Sequence, residues 1–329
     1  MIDPGLRLAL AAEAALAPSV HNVQPARWRF EGDGLLLFED RTRRLAAGDP
    51  EGRDAEFSLG AAAEGMAIAL SRHGLVLEDL GAEGLPPAEG QLVPVRRFAI
   101  AAGGAHVPLG DQVERRQSYR GRFLSPTDGD RAAARALEGE GVEVAAEPER
   151  IERIARLCDD AGLAFLRDGA FRAELLSWMR LSRRNPRWPL DGLNAEAMAM
   201  SRLEAVGAQA VLGPRLFRLL DRLGLGRTLT SEASTVATAT AVVIVHHPIG
   251  ADEFDCGRSF YRLWLRIAAS NFSAAVMASL ADHPQVSARL AKDLNLPDGR
   301  RIRTALRIGR APPGSGYRRA RLPPEAALV

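Results

Sequence analysis

Cysteine and lysine are nearly missing from this chain. Cys158 and Cys256 are its two cysteines, far apart and without a CxxC pair, so neither a disulfide framework nor a zinc site is expected. Lys292 is the single lysine among 43 basic residues. With heavy alanine and glycine usage, that skew reads as GC-rich coding rather than as function. The formal charge of +2 argues against general nucleic-acid binding, although pI 8.8 leaves room for local basic patches. No apolar run approaches a membrane span, and Met1-Ile2-Asp3-Pro4 lacks the basic-then-apolar order of a signal peptide. Neither nucleic acid nor membrane is expected as a partner, and the expected location is the cytoplasm. No GxGxxG or Walker motif is present, which removes a Rossmann or P-loop reading. Ser19 and Ser58 lack identifiable His/Asp partners for a hydrolase triad. The adjacent His246 and His247 would point to opposite faces of a strand, so no metal site is expected.

What remains is an ordinary globular composition, 47% hydrophobic and 26% charged over 329 residues. That length suits one large domain or two ordinary ones. Asp3 and Pro4 predict a helix start, and Pro18 its stop. Leu35 to Phe38 reads as a strand after the turn Gly32-Asp33-Gly34. Phe57-Ser58-Leu59-Gly60 precedes a helix expected from Ala61 to His73, and Arg97 to Ile100 reads as a strand ended by Gly103-Gly104. The second half repeats this plan. Phe254-Asp255-Cys256-Gly257 precedes a helix to about Ser270, with Phe260, Leu263, Trp264 and Ile267 at helical spacing. Setting Gly60 against Gly257 aligns Leu70 with Ile267 and Leu75 with Phe272, and strand 98–100 then corresponds to strand 305–308. Such a repeat is too long for a solenoid unit and suggests fusion of two copies of a subunit. Without a strict βαβ rhythm, the expected class is α+β.

Three polar segments stand out. In Pro18-Ser19-Val20-His21-Asn22-Val23-Gln24-Pro25, proline blocks the helix, so hydroxyl, amide and backbone groups are presented from a loop. In Arg116-Gln117-Ser118-Tyr119-Arg120, planar guanidinium forks flank a hydroxyl, a set matched to phosphate oxygens. Tyr317-Arg318-Arg319-Ala320-Arg321-Leu322-Pro323 places more arginines near the C-terminus. Read alone, each has a plainer alternative: a helix-stop loop, a solvated basic turn, a solvated basic end.

Together they resemble the nitroreductase superfamily, and the His before Asn22 narrows the likeness to its Acg-type branch. The resemblance implies an α+β nitroreductase-like fold, its two fused halves (1–108 and 109–329) forming an internal pseudo-dimer with a possible lid insertion at about 183–230. It implies FMN, with the ring held by Pro18, Ser19, Val20, Asn22 and Gln24 and the phosphate by Arg116, Ser118, Arg120, Arg319 and Arg321. The ring loop occurs only in the first half and the phosphate motif only in the second, so one complete site is expected and its symmetry mate lost. The family's Pro-x-Glu-Gly-like loop facing flavin N5 corresponds to 275–279. Its carboxylate is absent there, which leaves Met277, Ala278 and Ser279 as contacts. Trp188 could pack on the flavin or anchor a local core. The flavin would carry the chemistry, with no side chain obliged to act as acid or base. The implied function is ping-pong reduction of nitroaromatic or quinone-like acceptors by NADH or NADPH, in a monomer with an internal pseudo-two-fold or in a homodimer. The alternatives are a flavin-sequestering protein whose lid excludes nicotinamide, and a specialised flavin oxidase or dehydrogenase.

Overall fold

Asp3 starts the first helix as expected, its carboxylate accepting from Leu6 N at 3.0 Å. A computed structural model describes residues 2–329, apart from the side chains of 229 and 230. Helix α1 (Pro4–Ala14) stops short of Pro18, where the sequence had placed its end. The Leu16 carbonyl beyond it instead receives two arginines, Arg116 Nη2 at 2.8 Å and Arg321 Nη2 at 3.3 Å.

Strands β1 (Ala26–Glu31) and β2 (Gly34–Asp40) form a hairpin through Gly32, whose φ of +59° suits glycine. Helix α2 (Arg53–Ser71) and strands β3 (Leu75–Gly81) and β4 (Leu92–Ala102) complete the first half. Its sheet is antiparallel in the order β1-β2-β4-β3. Helix α3 (Asp128–Arg135), opened by a Thr127–Asp130 capping box, leads to β5 (Val142–Ala145). A long helical excursion follows: α4 (Pro148–Arg167), α5 (Gly169–Trp178), the short parallel pair β6 (Met179–Arg180) and β7 (Leu193–Asn194), then α6 (Arg202–Val211), α7 (Pro214–Arg222), α8 (Gly226–Thr230) and α9 (Ala233–Val236). Strand β8 (Ala241–Pro248), helix α10 (Glu253–Ala269), β9 (Ser273–Val276), helices α11 (Ser279–Asp282) and α12 (Pro284–Asp293), and β10 (Arg300–Gly309) close the second half. Its sheet is antiparallel in the order β5-β8-β10-β9. The two orders superpose strand for strand in chain sequence, so the fold is α+β, built of two halves of like topology.

Helices α2 and α10 pack at the centre, and two glycines set how closely. A Cβ on Gly60 would lie 1.8 Å from the Phe254 carbonyl oxygen, and one on Gly257 would lie 2.0 Å from that of Phe57. The contact is reciprocal, as a two-fold relation requires. It also corrects the sequence reading, which put both glycines ahead of their helices. They lie inside, because the crossing needs the missing side chains more than the helix needs residues of higher propensity. The C-terminal tail returns to the first half, where Val329 N donates to the Trp28 carbonyl at 2.9 Å over a fully buried indole. Among the described residues no helix is long and apolar enough to cross a membrane.

Candidate functional site

A cavity of about 390 Å³ lies where the halves meet, within the ~300–1,000 Å³ range of small-molecule sites. The loop Pro18–Asn22 forms one wall. His21, Asn22 and Gln24 adopt φ of +43°, +55° and +53°, a conformation that strains non-glycine residues and recurs at functional sites. Hydrogen bonds hold it there. Ser58 Oγ on α2 accepts from Val20 N at 3.2 Å, and Ser19 Oγ accepts from Gln24 N at 3.0 Å. Buried among protein and near Arg120, His21 is pushed down to about 4 and is neutral. Its Nδ1 is buried in the cavity wall without a hydrogen-bond partner among the described residues.

Arg116, Arg319 and Arg321 converge on the adjoining wall with Ser118 and Arg120. Arg116 is 3% exposed, and its guanidinium lies 4.7 Å from the Trp264 ring centroid. Arg319 is held by the Val113 and Arg116 carbonyls at 3.0 and 3.1 Å. Burial and the neighbouring charges of Arg116 and Arg319 pull Arg321 down to about 9. The Nε atoms of Arg116 and Arg321 are buried and, among the described residues, unpaired. Glu114 pairs with Arg319 from the outside, and neither Arg116 nor Arg321 makes an ion pair among the described residues. Buried cations without counter-charges are costly, and an anion in the cavity would relieve that cost.

The cavity is also lined by Val276, Ala278, Ser279 and Asp282. Two of the residues expected at the site are elsewhere. Met277 packs in the second-half core, its backbone N donating to the Ala305 carbonyl. The Gln24 amide turns out of the cavity, donating to the Leu190 carbonyl at 2.9 Å and accepting from Leu322 N at 2.9 Å. In both cases neighbouring backbone, from strand β10 for Met277 and from the 190 turn and the tail for Gln24, has claimed the polar groups. Asp282 escaped the sequence reading because a carboxylate was sought only within 275–279. It stands three residues on, at the end of α11, exposed to the cavity it lines.

The cover is narrower than the expected 183–230. Gly192, Leu193, Asn194, Ala197 and Met198 line the cavity with Phe165, Phe171 and Leu175 from α4 and α5, whereas α6, α7 and Trp188 contribute nothing to its wall. The cover is also pinned. Asp191, fully buried, takes Arg43 at 2.5 Å and Arg180 at 2.9 Å, with Arg187 as a third partner. Asn22 Nδ2 donates to the Gly192 carbonyl at 3.3 Å, and Arg120 Nη1 to that of Ala197 at 3.3 Å.

No family model matches the chain. Putative NAD(P)H nitroreductase Rv3131 of Mycobacterium tuberculosis is 27% identical over 167 residues, 50% of this chain and 48% of that protein. Putative NAD(P)H nitroreductase acg of the same organism is 41% identical over 61 residues, 18% of each chain. The chain thus spans about half the length, or less, of the curated relatives it matches. Among solved structures, a putative nitroreductase from Anabaena variabilis aligns at TM-score 0.47 with 10% identity, covering 93% of this chain and 88% of that one. The nitroreductase NfnB of Mycobacterium smegmatis aligns at TM-score 0.33 with 16% identity, covering 62% and 87%. Structural likeness at these scores decides nothing about function. By sequence the chain is similar, over part of its length, to these two putative NAD(P)H nitroreductases.

Proposed function

We propose that the cavity binds one FMN and that the protein is a flavin-dependent oxidoreductase, reducing nitroaromatic or quinone-like acceptors at the expense of NADH or NADPH. The observation that carries this reading is the buried cation cluster: Arg116 and Arg321, each with an unpaired Nε, open into the same cavity as the strained loop. A phosphomonoester supplies the missing charge and acceptors. The fit extends to the ring. Neutral His21 offers an unpaired Nδ1, and Ser19, the backbone around Ala278 and the Ser279 hydroxyl offer further polar groups beside apolar Leu193, Val276 and Phe171. Bound there, a flavin would supply hydride acceptance and donation. The protein's residues would hold its phosphate, orient its ring and exclude water. The matched relatives carry the name NAD(P)H nitroreductase, which agrees with this reading. The halves divide near residue 108, and both contribute walls of the one site, so a monomer suffices.

Fluorescence titration of the apo-protein with FMN tests the proposal, with extraction and quantitation of any co-purified flavin. One FMN per chain at saturation is expected. Two per chain would remove the single-site argument, and no binding after reconstitution would remove the flavin reading. A second reading, sequestration of FMN without turnover, draws support from the pinned cover around Asp191.

A further inference from the structure

Helices α6 and α7 stand outside the cavity and carry their apolar residues on the wrong side for a folded domain. Leu203 and Val206 of α6 are 86% and 71% exposed, and Leu219 of α7 and Leu223 at its C-terminal end are 54% and 64% exposed. Leu216 and Leu225 add to the same region. The inward face of each helix is settled by other residues. Ala205 is buried on α6, Phe217 is buried on α7 against Arg172, and Asp221 is tied to Arg167 at 2.9 Å. At 100° per residue, Leu203 lies about 160° and Val206 about 100° from Ala205, and Leu219 and Leu223 fall opposite Phe217 and Asp221. Arg215, Arg218 and Arg222 share the flank of that leucine stripe, and Arg202 flanks the one on α6. All four arginines are exposed, and none makes an ion pair among the described residues. The two carboxylates of these helices are already engaged, Glu204 in its cap with Ser201 and Asp221 with Arg167.

We infer that the outward face of α6 and α7 is a docking surface for an anionic lipid bilayer, with the leucines entering the acyl boundary and the arginines meeting the headgroups. An exposed apolar stripe with arginines along its edge is the arrangement of helices that lie in a membrane interface. A second copy of the chain fits less well. An isologous pairing would bring two arginine-flanked faces together, with the carboxylates of these helices, Glu204 and Asp221, already engaged on both copies. The sequence reading expected no membrane partner because it sought a span, whereas lying on a surface requires none. The position has a functional corollary: Asn194, Ala197 and Met198 of the cover directly precede α6, so docking brings the cavity's cover to the bilayer. The inference stands independently of the flavin reading.

Vesicle flotation tests it with the full-length protein, using phosphatidylcholine with and without phosphatidylglycerol. Partitioning is expected to be at least about tenfold stronger on the anionic vesicles and to weaken as salt is raised. The double variant Leu219→Glu with Leu223→Glu should lose it, while an unchanged circular dichroism melt shows the variant folded. A second variant, Arg215→Gln with Arg222→Gln, should weaken binding to anionic vesicles without abolishing residual apolar adsorption. Failure of the wild type to float, equal binding to neutral and anionic vesicles, or undiminished binding by the leucine variant would overturn the inference. A concentration-dependent dimer in sedimentation, lost in the leucine variant, would reassign the face to a second copy.

Discussion

Arg321 Nη1 donates to Asn22 Oδ1 at 2.8 Å, joining the second-half tail to the first-half loop. Asn22 Nδ2 then donates to the Ala320 carbonyl at 3.1 Å and to that of Gly192. One amide side chain thus ties loop, tail and cover together at the cavity.

Asn22→Ala removes these bonds at once. Each is worth about 0.5–1.5 kcal/mol, and the one to the guanidinium more, so a loss of roughly 2–3 kcal/mol is expected in urea unfolding. Because the whole cavity wall loosens, affinity for FMN and riboflavin should fall by similar factors. A loss confined to FMN would show that Asn22 acts only through Arg321.

The phosphate assignment makes the opposite expectation. Arg120→Ala should weaken FMN about ten- to hundredfold more than riboflavin, in line with ~1.5–3 kcal/mol for a charged hydrogen bond, with a smaller loss common to both flavins from the lost bond to the Ala197 carbonyl of the cover. Arg116→Ala should show the same selectivity, with added destabilisation from lost stacking on Trp264. Equal weakening of both flavins would mark these arginines as structural.

The glycine crossing predicts a symmetric response. Gly60→Ala and Gly257→Ala each drive a methyl into a carbonyl, at 1.8 and 2.0 Å before relaxation. Overpacking of this kind typically costs ~1–3 kcal/mol or more, and helix backbone can yield little. The double variant should be less destabilised than the sum, since one separation of α2 from α10 relieves both clashes. Thermal melts of the three variants check it. Full additivity would mean the contacts are independent rather than two views of one crossing.

Much of this architecture was legible, and the exceptions have physical causes. The strands and the Gly60–Gly257 alignment follow from local apolar patterns, and local patterns are what a sequence displays. Helix starts at Arg53 and Glu253 were missed because glycine reads locally as a breaker, while its use here depends on a partner helix some 200 residues away. The loop and arginine motifs were visible as residue types, and the structure gathers most of them at one cavity. Gln24 and Met277 went elsewhere because competing backbone partners are not readable from spacing. Asp282 carries no motif at all: its significance comes from the cavity it faces and from Asp54 nearby.

Asp282 makes stability depend on pH in a direction opposite to that of a salt-bridged carboxylate. Burial, then the charge of Asp54, raise it from 3.8 to about 7, with Asp49 adding to the rise and Arg303 and Arg53 opposing it. Its carboxylate has no hydrogen bond or ion pair among the described residues to offset this. Between these values the folded state keeps a proton that the unfolded chain has released. This group therefore reduces stability progressively from about pH 4 to pH 7, and most above 7. Asp282→Asn, which cannot ionise, should gain on the wild type in melting temperature more at pH 8 than at pH 5. The same difference at both values would show that Asp282 titrates normally.

In the proposed reading, turnover with nicotinamide would depend on the cover. Hydride transfer requires the nicotinamide to reach within roughly 3–3.5 Å of the flavin, and the wall formed by Leu193, Ala197 and Met198 stands over the same cavity. Arg120 holds Ala197, Asn22 holds Gly192, and Asp191 anchors the turn beneath three arginines, so opening must break several buried contacts. Anaerobic stopped-flow mixing of holo-protein with NADH and with NADPH should therefore give slow bleaching, while dithionite, which needs no stacked geometry, bleaches promptly. Trimming the cover without touching its anchors, by Leu193→Ala with Met198→Ala, should accelerate the nicotinamide reaction and leave the dithionite rate unchanged. Rapid, saturable bleaching of the wild type would exclude sequestration and describe a conventional reductase. No bleaching of either protein would exclude nicotinamide as the reductant and leave sequestration, or a reductant other than nicotinamide, as the reading of the site.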